Sequence, residues 1–106
     1  MPSPLQRHLA RFARVPILDG PTSIQRLDRL EHALGAAGGG VRIFVKRDDL
    51  MGLGGNGNKL RKLEFLLGEA VAQGCDTFIT TGGIQSNHAR LSAAAAAGWG
   101  SPASWC

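Results

Sequence analysis

The fold is decided by the run from Val41 to Gly74. It reads Val41-Arg42-Ile43-Phe44-Val45-Lys46-Arg47-Asp48-Asp49-Leu50, then Gly54-Gly55-Asn56-Gly57-Asn58-Lys59, then Leu60-Arg61-Lys62-Leu63-Glu64 and onward to Gly74. Val41, Ile43 and Val45 alternate with Arg42, Phe44 and Lys46, the two-residue period of a strand. Glycines from Gly52 to Gly57 break that run, and Asn58 is of the type that caps a helix. Leu60, Leu63, Leu66, Leu67, Ala70 and Val71 then recur at helical spacing as a wide apolar face, closed by Gly74. Strand, glycine loop and amphipathic helix in this order predict an α/β chain.

Downstream the same order repeats. Thr77 to Thr81 reads as a short buried strand, Gly82 and Gly83 turn the chain, and Ser86 opens an alanine-rich helix ending near Gly98. A crossover helix buries its face only against a sheet, so a further parallel strand should follow. The run Gly98-Trp99-Gly100-Ser101-Pro102-Ala103-Ser104-Trp105-Cys106 holds no Val, Ile or Leu, and we expect no strand there. Residues 1–97 are therefore read as the α/β portion, and 98–106 as the tail of a truncated or frame-shifted product.

Upstream, Ile24, Leu27, Leu30 and Leu34 fall at helical spacing behind Pro21, so a short amphipathic helix capped by Thr22 is expected over 22–34. Gly35, Gly38, Gly39 and Gly40 form a flexible connector that lacks the lysine and hydroxyl of a P-loop. Arg7, Arg11 and Arg14 alternate with Leu5, Leu9 and Phe12 without acids, a pattern that mitochondrial presequences share and that we read as a helical docking arm.

With 106 residues, 43% of them hydrophobic and 19% charged, the composition is that of one small globular domain. The net charge of +4 comes from scattered basic residues and the chain has no tyrosine, which argues against nucleic acid. No apolar run suggests a membrane span, and Cys75 and Cys106 lack metal-ligand spacing. We expect a cytoplasmic protein without a metal site.

Lys59 sits on the apolar stripe that continues through Leu63 and Leu66. Desolvation and the positive end of a helix dipole both disfavour a charged amine there, which suits a lysine that forms a Schiff base. Ser86 to His88 lies where a turn feeds a helix, so its backbone amides can hold a carboxylate. Asp48 and Asp49 are adjacent on a strand end, face opposite ways and are expected to bond the loop. Lys62, Arg61 and Arg90 are read as a solvated face.

The Lys46–Leu50 strand end, the Gly54–Glu64 loop and helix, and the run Thr80-Thr81-Gly82-Gly83-Ile84-Gln85-Ser86-Asn87-His88 together resemble the front part of the pyridoxal-phosphate (PLP) enzymes of the D-cysteine desulfhydrase and 1-aminocyclopropane-1-carboxylate (ACC) deaminase family. The resemblance implies the N-terminal portion of a tryptophan-synthase-β-like, fold type II, three-layer α/β/α enzyme, homodimeric at full length. It implies that Lys59 binds PLP and acts as a base, that Asn58 orients it, and that Asn87 bonds the ring oxygen of the cofactor. Ser86, Asn87 and His88 would contact a small amino-acid substrate, with Ser86 as nucleophile or acid-base group. His88 after Ser-Asn favours D-cysteine desulfhydrase-like elimination to pyruvate, ammonia and sulfide. ACC deamination is the alternative within the family, and a non-catalytic remnant or interaction module the alternative outside it. Asn56 stands where the family has glycine, and asparagine tolerates the left-handed conformation better than most residues. The phosphate cradle and the pyridine-nitrogen partner of the family have no counterpart in these motifs, so the 106-residue chain alone is expected to be inactive.

Overall fold

The computed structural model describes residues 1–100 and the backbone of the strand at 103–105. A short helix, α1 (Pro4–Leu9), is closed by a capping box in which Ser3 and Gln6 exchange side-chain bonds, with proline at its start. It buries no residue. Then come β1 (Ile24–Arg26), α2 (Asp28–Leu34), β2 (Phe44–Lys46), α3 (Leu60–Ala72), β3 (Phe78–Thr80), α4 (Asn87–Trp99) and β4 (Ala103–Trp105). The α/β class read from the sequence is the class observed.

Three local expectations are corrected. The helix expected over 22–34 begins only at Asp28, because Ile24–Arg26 pairs antiparallel with Phe44–Lys46, Ile24 opposite Lys46. The partner strand satisfies the β1 backbone from outside, overriding a helical spacing that the sequence does contain. Thr22 caps nothing; its hydroxyl donates to Asp48 at 2.7 Å.

The expectation that no strand follows the alanine-rich helix also fails. Gly100, with φ 82°, ends α4 in the left-handed conformation and turns the chain back. Residues 103–105 then run parallel to β3, Phe78 opposite Ala103 and Thr80 opposite Trp105. Ladder bonds use only backbone groups, so a segment without Val, Ile or Leu can still pair. Finally, the wide apolar face expected of α3 is narrower: Leu60, Leu63, Leu67 and Gly68 are buried, whereas Leu66 and Val71 are exposed.

The core is small. Val15, Met51, Leu60, Leu63, Leu67, Leu91 and Ala95 form it, flanked by Ile17, Leu18, Leu53 and Phe78. It is the seam where α3, α4, the glycine loop and the N-terminal segment meet. The Cα radius of gyration is 17.8 Å, whereas a compact domain of about 100 residues has about 13 Å. The chain is accordingly flat, and Ile24, Phe44, Ile79 and Ile84 lie exposed. Among the described residues no helix is long and apolar enough to cross a membrane.

The N-terminal segment is held on α3 by one buried carboxylate. Glu64 is 1% exposed. Its Oε1 accepts from the backbone N–H groups of Ile17 and Leu18, each at 3.0 Å, and its Oε2 accepts from Arg14 Nε at 2.6 Å. The backbone N–H of Val15 donates to the Glu64 carbonyl at 2.9 Å. One turn further, a Cβ built on Gly68 would lie 2.4 Å from the carbonyl of Ala13. Glycine at that position is what allows the segment to lie against the helix backbone.

Candidate active site

The loop that delivers Lys59 is shaped by its contact with α4. A Cβ at Gly54 would come within 2.8 Å of Ala94 Cβ, and one at Gly57 within 2.9 Å of Leu91 Cδ1. Both glycines also have positive φ, 64° and 140°. Backbone thus packs directly on helix, an approach that side chains would block. Asn56 between them holds φ 71° and ψ 162°, a region that residues other than glycine rarely enter. This is not the left-handed conformation that asparagine tolerates but a glycine-type one, and the Asn56 side chain braces it: Oδ1 accepts from the Gly52 N–H at 2.7 Å.

Lys59 is half-buried at the head of α3, and its carbonyl accepts from the Leu63 N–H at 3.1 Å. It occupies the cap position and no side chain caps the helix, so Asn58 is not the cap that the sequence suggested. Asn58 and Lys59 form a turn before Leu60, and Asn58 is exposed. The start of α3 is instead fixed by Arg61, whose Nε and Nη2 grip both oxygens of Asp48 at 3.0 and 2.7 Å. That contact holds the Asp48 carboxyl down at about 2. Asp49 is occupied with Arg47 at 2.7 Å, so the two adjacent acids serve different partners, and they do so from a 3₁₀ turn over Asp48–Leu50 rather than from a strand end.

The second half of the site is the turn between β3 and α4. The Ser86 N–H donates to the Gly83 carbonyl at 2.9 Å, and Ser86 Oγ accepts from the Ala89 N–H at 3.2 Å. The expected cap is therefore formed. A Cβ on Gly82 would meet Ser86 Oγ at 2.6 Å, so the turn folds closely over that hydroxyl. The carbonyl of Ser86 accepts from Arg90 N, and the N–H groups of Asn87 and His88 open the helix.

Asn87 is exposed, with Oδ1 accepting from Arg90 Nη2 at 3.2 Å. His88 is half-buried, and its Nδ1 is a buried polar atom without a hydrogen-bond partner among the described residues. Burial, and next the positive charges of Lys62 and Lys59, push the His88 ring below its usual 6.5. The two halves of the site are linked by Arg90, which donates to the Gly54 and Asn56 carbonyls of the loop and to Asn87 of the turn.

Reading Arg61 and Arg90 as part of a solvated face missed their work. Arg61 closes the Asp48 pair, and Arg90 donates to the carbonyls of Gly54 and Asn56 as well as to Asn87. The only signal in sequence was the position of Arg90 one turn into α4, on the side where the glycine loop has to pass.

The architecture is that of an α/β enzyme fold: a solved structure described as an ACC deaminase homologue superposes with a TM-score of 0.88 at 41% identity, covering 99% of this chain and 31% of that one. No protein-family model matches the chain. Among curated proteins it is 52% identical over 90 residues to the 1-aminocyclopropane-1-carboxylate deaminase of Methylobacterium sp. (strain 4-46), covering 84% of this chain and 26% of that protein. It is 49% identical over 90 residues to the D-cysteine desulfhydrase of Salmonella paratyphi B, covering 85% of this chain and 26% of that protein. Over most of its own length the chain is thus similar to the ACC deaminases and D-cysteine desulfhydrases, and it spans about a quarter of the length of these curated relatives.

Proposed function

We propose that this chain carries the lysine-bearing part of a PLP-dependent enzyme acting on a small amino acid. The observation that carries the reading is the packing of the loop before Lys59 on the start of α4, where Arg90 ties its carbonyls to Asn87. The residues present fit the cofactor on their own chemistry: a half-buried lysine, an exposed asparagine amide, and a buried histidine nitrogen without a partner among the described residues. PLP, when bound, supplies an electron-withdrawing ring that stabilises negative charge at the substrate α-carbon.

Lys59 holds the cofactor through its amine and then moves the α-proton, with Asn58 orienting it. Asn87 donates from its amide nitrogen to the ring oxygen. The open N–H groups of Asn87 and His88 bind the substrate carboxylate, where the helix dipole adds to the attraction. Ser86, already turned toward the helix start, gives or takes a proton at the substrate side. His88 favours D-cysteine desulfhydrase-like elimination, which releases sulfide, pyruvate and ammonia; ring-opening deamination of ACC would leave sulfide out.

The test is to add PLP to this chain and to the longest product of its gene, each with and without Lys59→Ala, and to record visible absorption and product release. A lysine-dependent band with sulfide from D-cysteine supports elimination, and one with ammonia from ACC supports deamination. The reading is wrong if neither protein shows a band that depends on Lys59. The 106-residue chain alone is expected to turn over negligibly, because an exposed site lacks the dry, preorganised surroundings that catalysis uses.

A further inference from the structure

We propose that Arg90 is a positioning residue that orients Asn87 and locks the lysine loop, so that the two are delivered to the site as one unit. This rests on the cofactor reading above for its functional meaning, but its geometry stands apart from it. Arg90 sits one turn into α4, its N–H donating to the Ser86 carbonyl at 3.1 Å. Its guanidinium reaches out of the helix to three acceptors: the Gly54 carbonyl, the Asn56 carbonyl at 3.1 Å, and Asn87 Oδ1 at 3.2 Å. Two belong to the loop that leads into Lys59, and the third belongs to the turn motif.

The consequence for Asn87 follows from donor and acceptor chemistry. Arginine only donates, so the atom of the Asn87 amide that faces it must be the oxygen. The NH2 group is then turned away from Arg90 and offered to an acceptor on the far side, the polarity that an electron-rich ring oxygen requires. Without the guanidinium, the amide could present either end. The consequence for the loop concerns Asn56, whose φ of 71° and ψ of 162° lie in glycine territory. Arg90 bonds the carbonyl of that very residue and so stabilises the unfavourable backbone just ahead of Lys59.

Lysine cannot take over this task. A guanidinium is a planar fork with five N–H donors that can serve acceptors on two sides, whereas an ammonium is a compact point charge on a flexible stem. Arg90→Lys therefore keeps the charge and loses the geometry, and it separates positioning from simple electrostatics.

The experiment compares the chain with Arg90→Lys and Arg90→Met, first without cofactor. Both variants are expected to shift the Asn87 side-chain amide signals in the NMR spectrum and to speed hydrogen exchange over 52–58, with α3 protected as before. With PLP, both are expected to bind about tenfold more weakly, as when charge-assisted bonds are lost. In an Asn87→Ala background, Arg90→Lys should cost clearly less, because the two act on one contact. Unchanged Asn87 signals and loop exchange in Arg90→Lys would overturn the inference, as would full rescue of PLP binding by lysine or strict additivity with Asn87→Ala. If the unaltered chain and the longest product of its gene show no Lys59-dependent band, the cofactor reading fails, and the cofactor-free measurements still decide the role of Arg90.

Discussion

Arg61 holds Asp48 through two parallel hydrogen bonds, Nε to Oδ2 at 3.0 Å and Nη2 to Oδ1 at 2.7 Å, and so pins the first turn of α3 to the end of β2. The Thr22 hydroxyl adds a third bond to the same carboxylate at 2.7 Å. This arrangement fixes the two ends of the glycine loop relative to each other, and with them the place from which Lys59 starts.

The pair predicts an acid dependence. Asp48 lies at about 2, below its ordinary 3.8, chiefly through the Arg61 bond and next through Thr22. A lowered carboxyl pKa contributes stability that is fully present above 3.8 and is lost as pH falls through about 2. Titration of the Asp48 carboxyl carbon by NMR should show the low midpoint, and Arg61→Met should return it toward 3.8. An unchanged midpoint in the variant would show that Arg61 is not the cause. The contact is partly solvated, so added salt should weaken it.

Glu64 makes a stronger demand on stability, because its buried carboxylate serves two backbone N–H groups and Arg14 at once. Glu64→Ala leaves these donors without an acceptor and is expected to cost about 2–4 kcal/mol, less than a fully buried pair because the Arg14 side chain is half-exposed. Glu64→Gln should fall between, since its oxygen can still serve Ile17 and Leu18 while its NH2 faces the Arg14 guanidinium. Denaturant unfolding measures both; equal stability of all three proteins would deny Glu64 its role as the anchor of the N-terminal segment.

What could be read from sequence was what is encoded locally. The period of β2, the helical spacing of α3 and the Ser86 cap of α4 come from residues within one element, and they were found; the strand at 77–81, read as buried, is Phe78–Thr80 with Ile79 exposed. Strand β1 was hidden because Ile24, Leu27, Leu30 and Leu34 fit a helix equally well, and only the distant Phe44–Lys46 partner decides for a strand. Strand β4 was hidden because its pairing uses backbone rather than side chains. In the candidate site, Lys59, Ser86, Asn87 and His88 stood out as motif residues. Arg90 did not, since its acceptors at Gly54 and Asn56 lie more than thirty positions earlier in the chain. Glu64 likewise shows its meaning only when residues 14–18 are laid across it.

Gly68→Ala sets two effects against each other. Alanine favours a helix over glycine by up to about 1 kcal/mol. Against that, the new Cβ would lie 2.4 Å from Ala13 carbonyl atoms and 2.5 Å from Arg14 N, which are backbone and cannot rotate aside. Overpacking of this kind costs about 1–3 kcal/mol, so the variant is expected to lose stability. The loss should be local in origin: the Val15 N–H, bonded to the Glu64 carbonyl at 2.9 Å, should exchange faster with solvent. A stabilised variant would mean that the Ala13–Arg14 backbone does not lie against Gly68.

His88 predicts a second pH effect, of opposite chemical type. Its ring is pushed below 6.5, first by burial and then by Lys62 and Lys59, so the folded chain disfavours the imidazolium. A histidine with a lowered folded pKa contributes stability that is fully present above 6.5 and declines as pH falls below that value, because the unfolded chain takes up the proton first. NMR titration of the ring should give a midpoint under 6.5, and Lys59→Ala should move it upward by removing one of the two nearby charges. A midpoint above 6.5, or one indifferent to Lys59, would place the histidine outside the influence of that lysine and separate the two halves of the proposed site. In a neutral ring one nitrogen carries a proton and the other does not, so Nδ1, unpartnered among the described residues, can serve as donor or acceptor without adding a third positive charge beside Lys59 and Lys62.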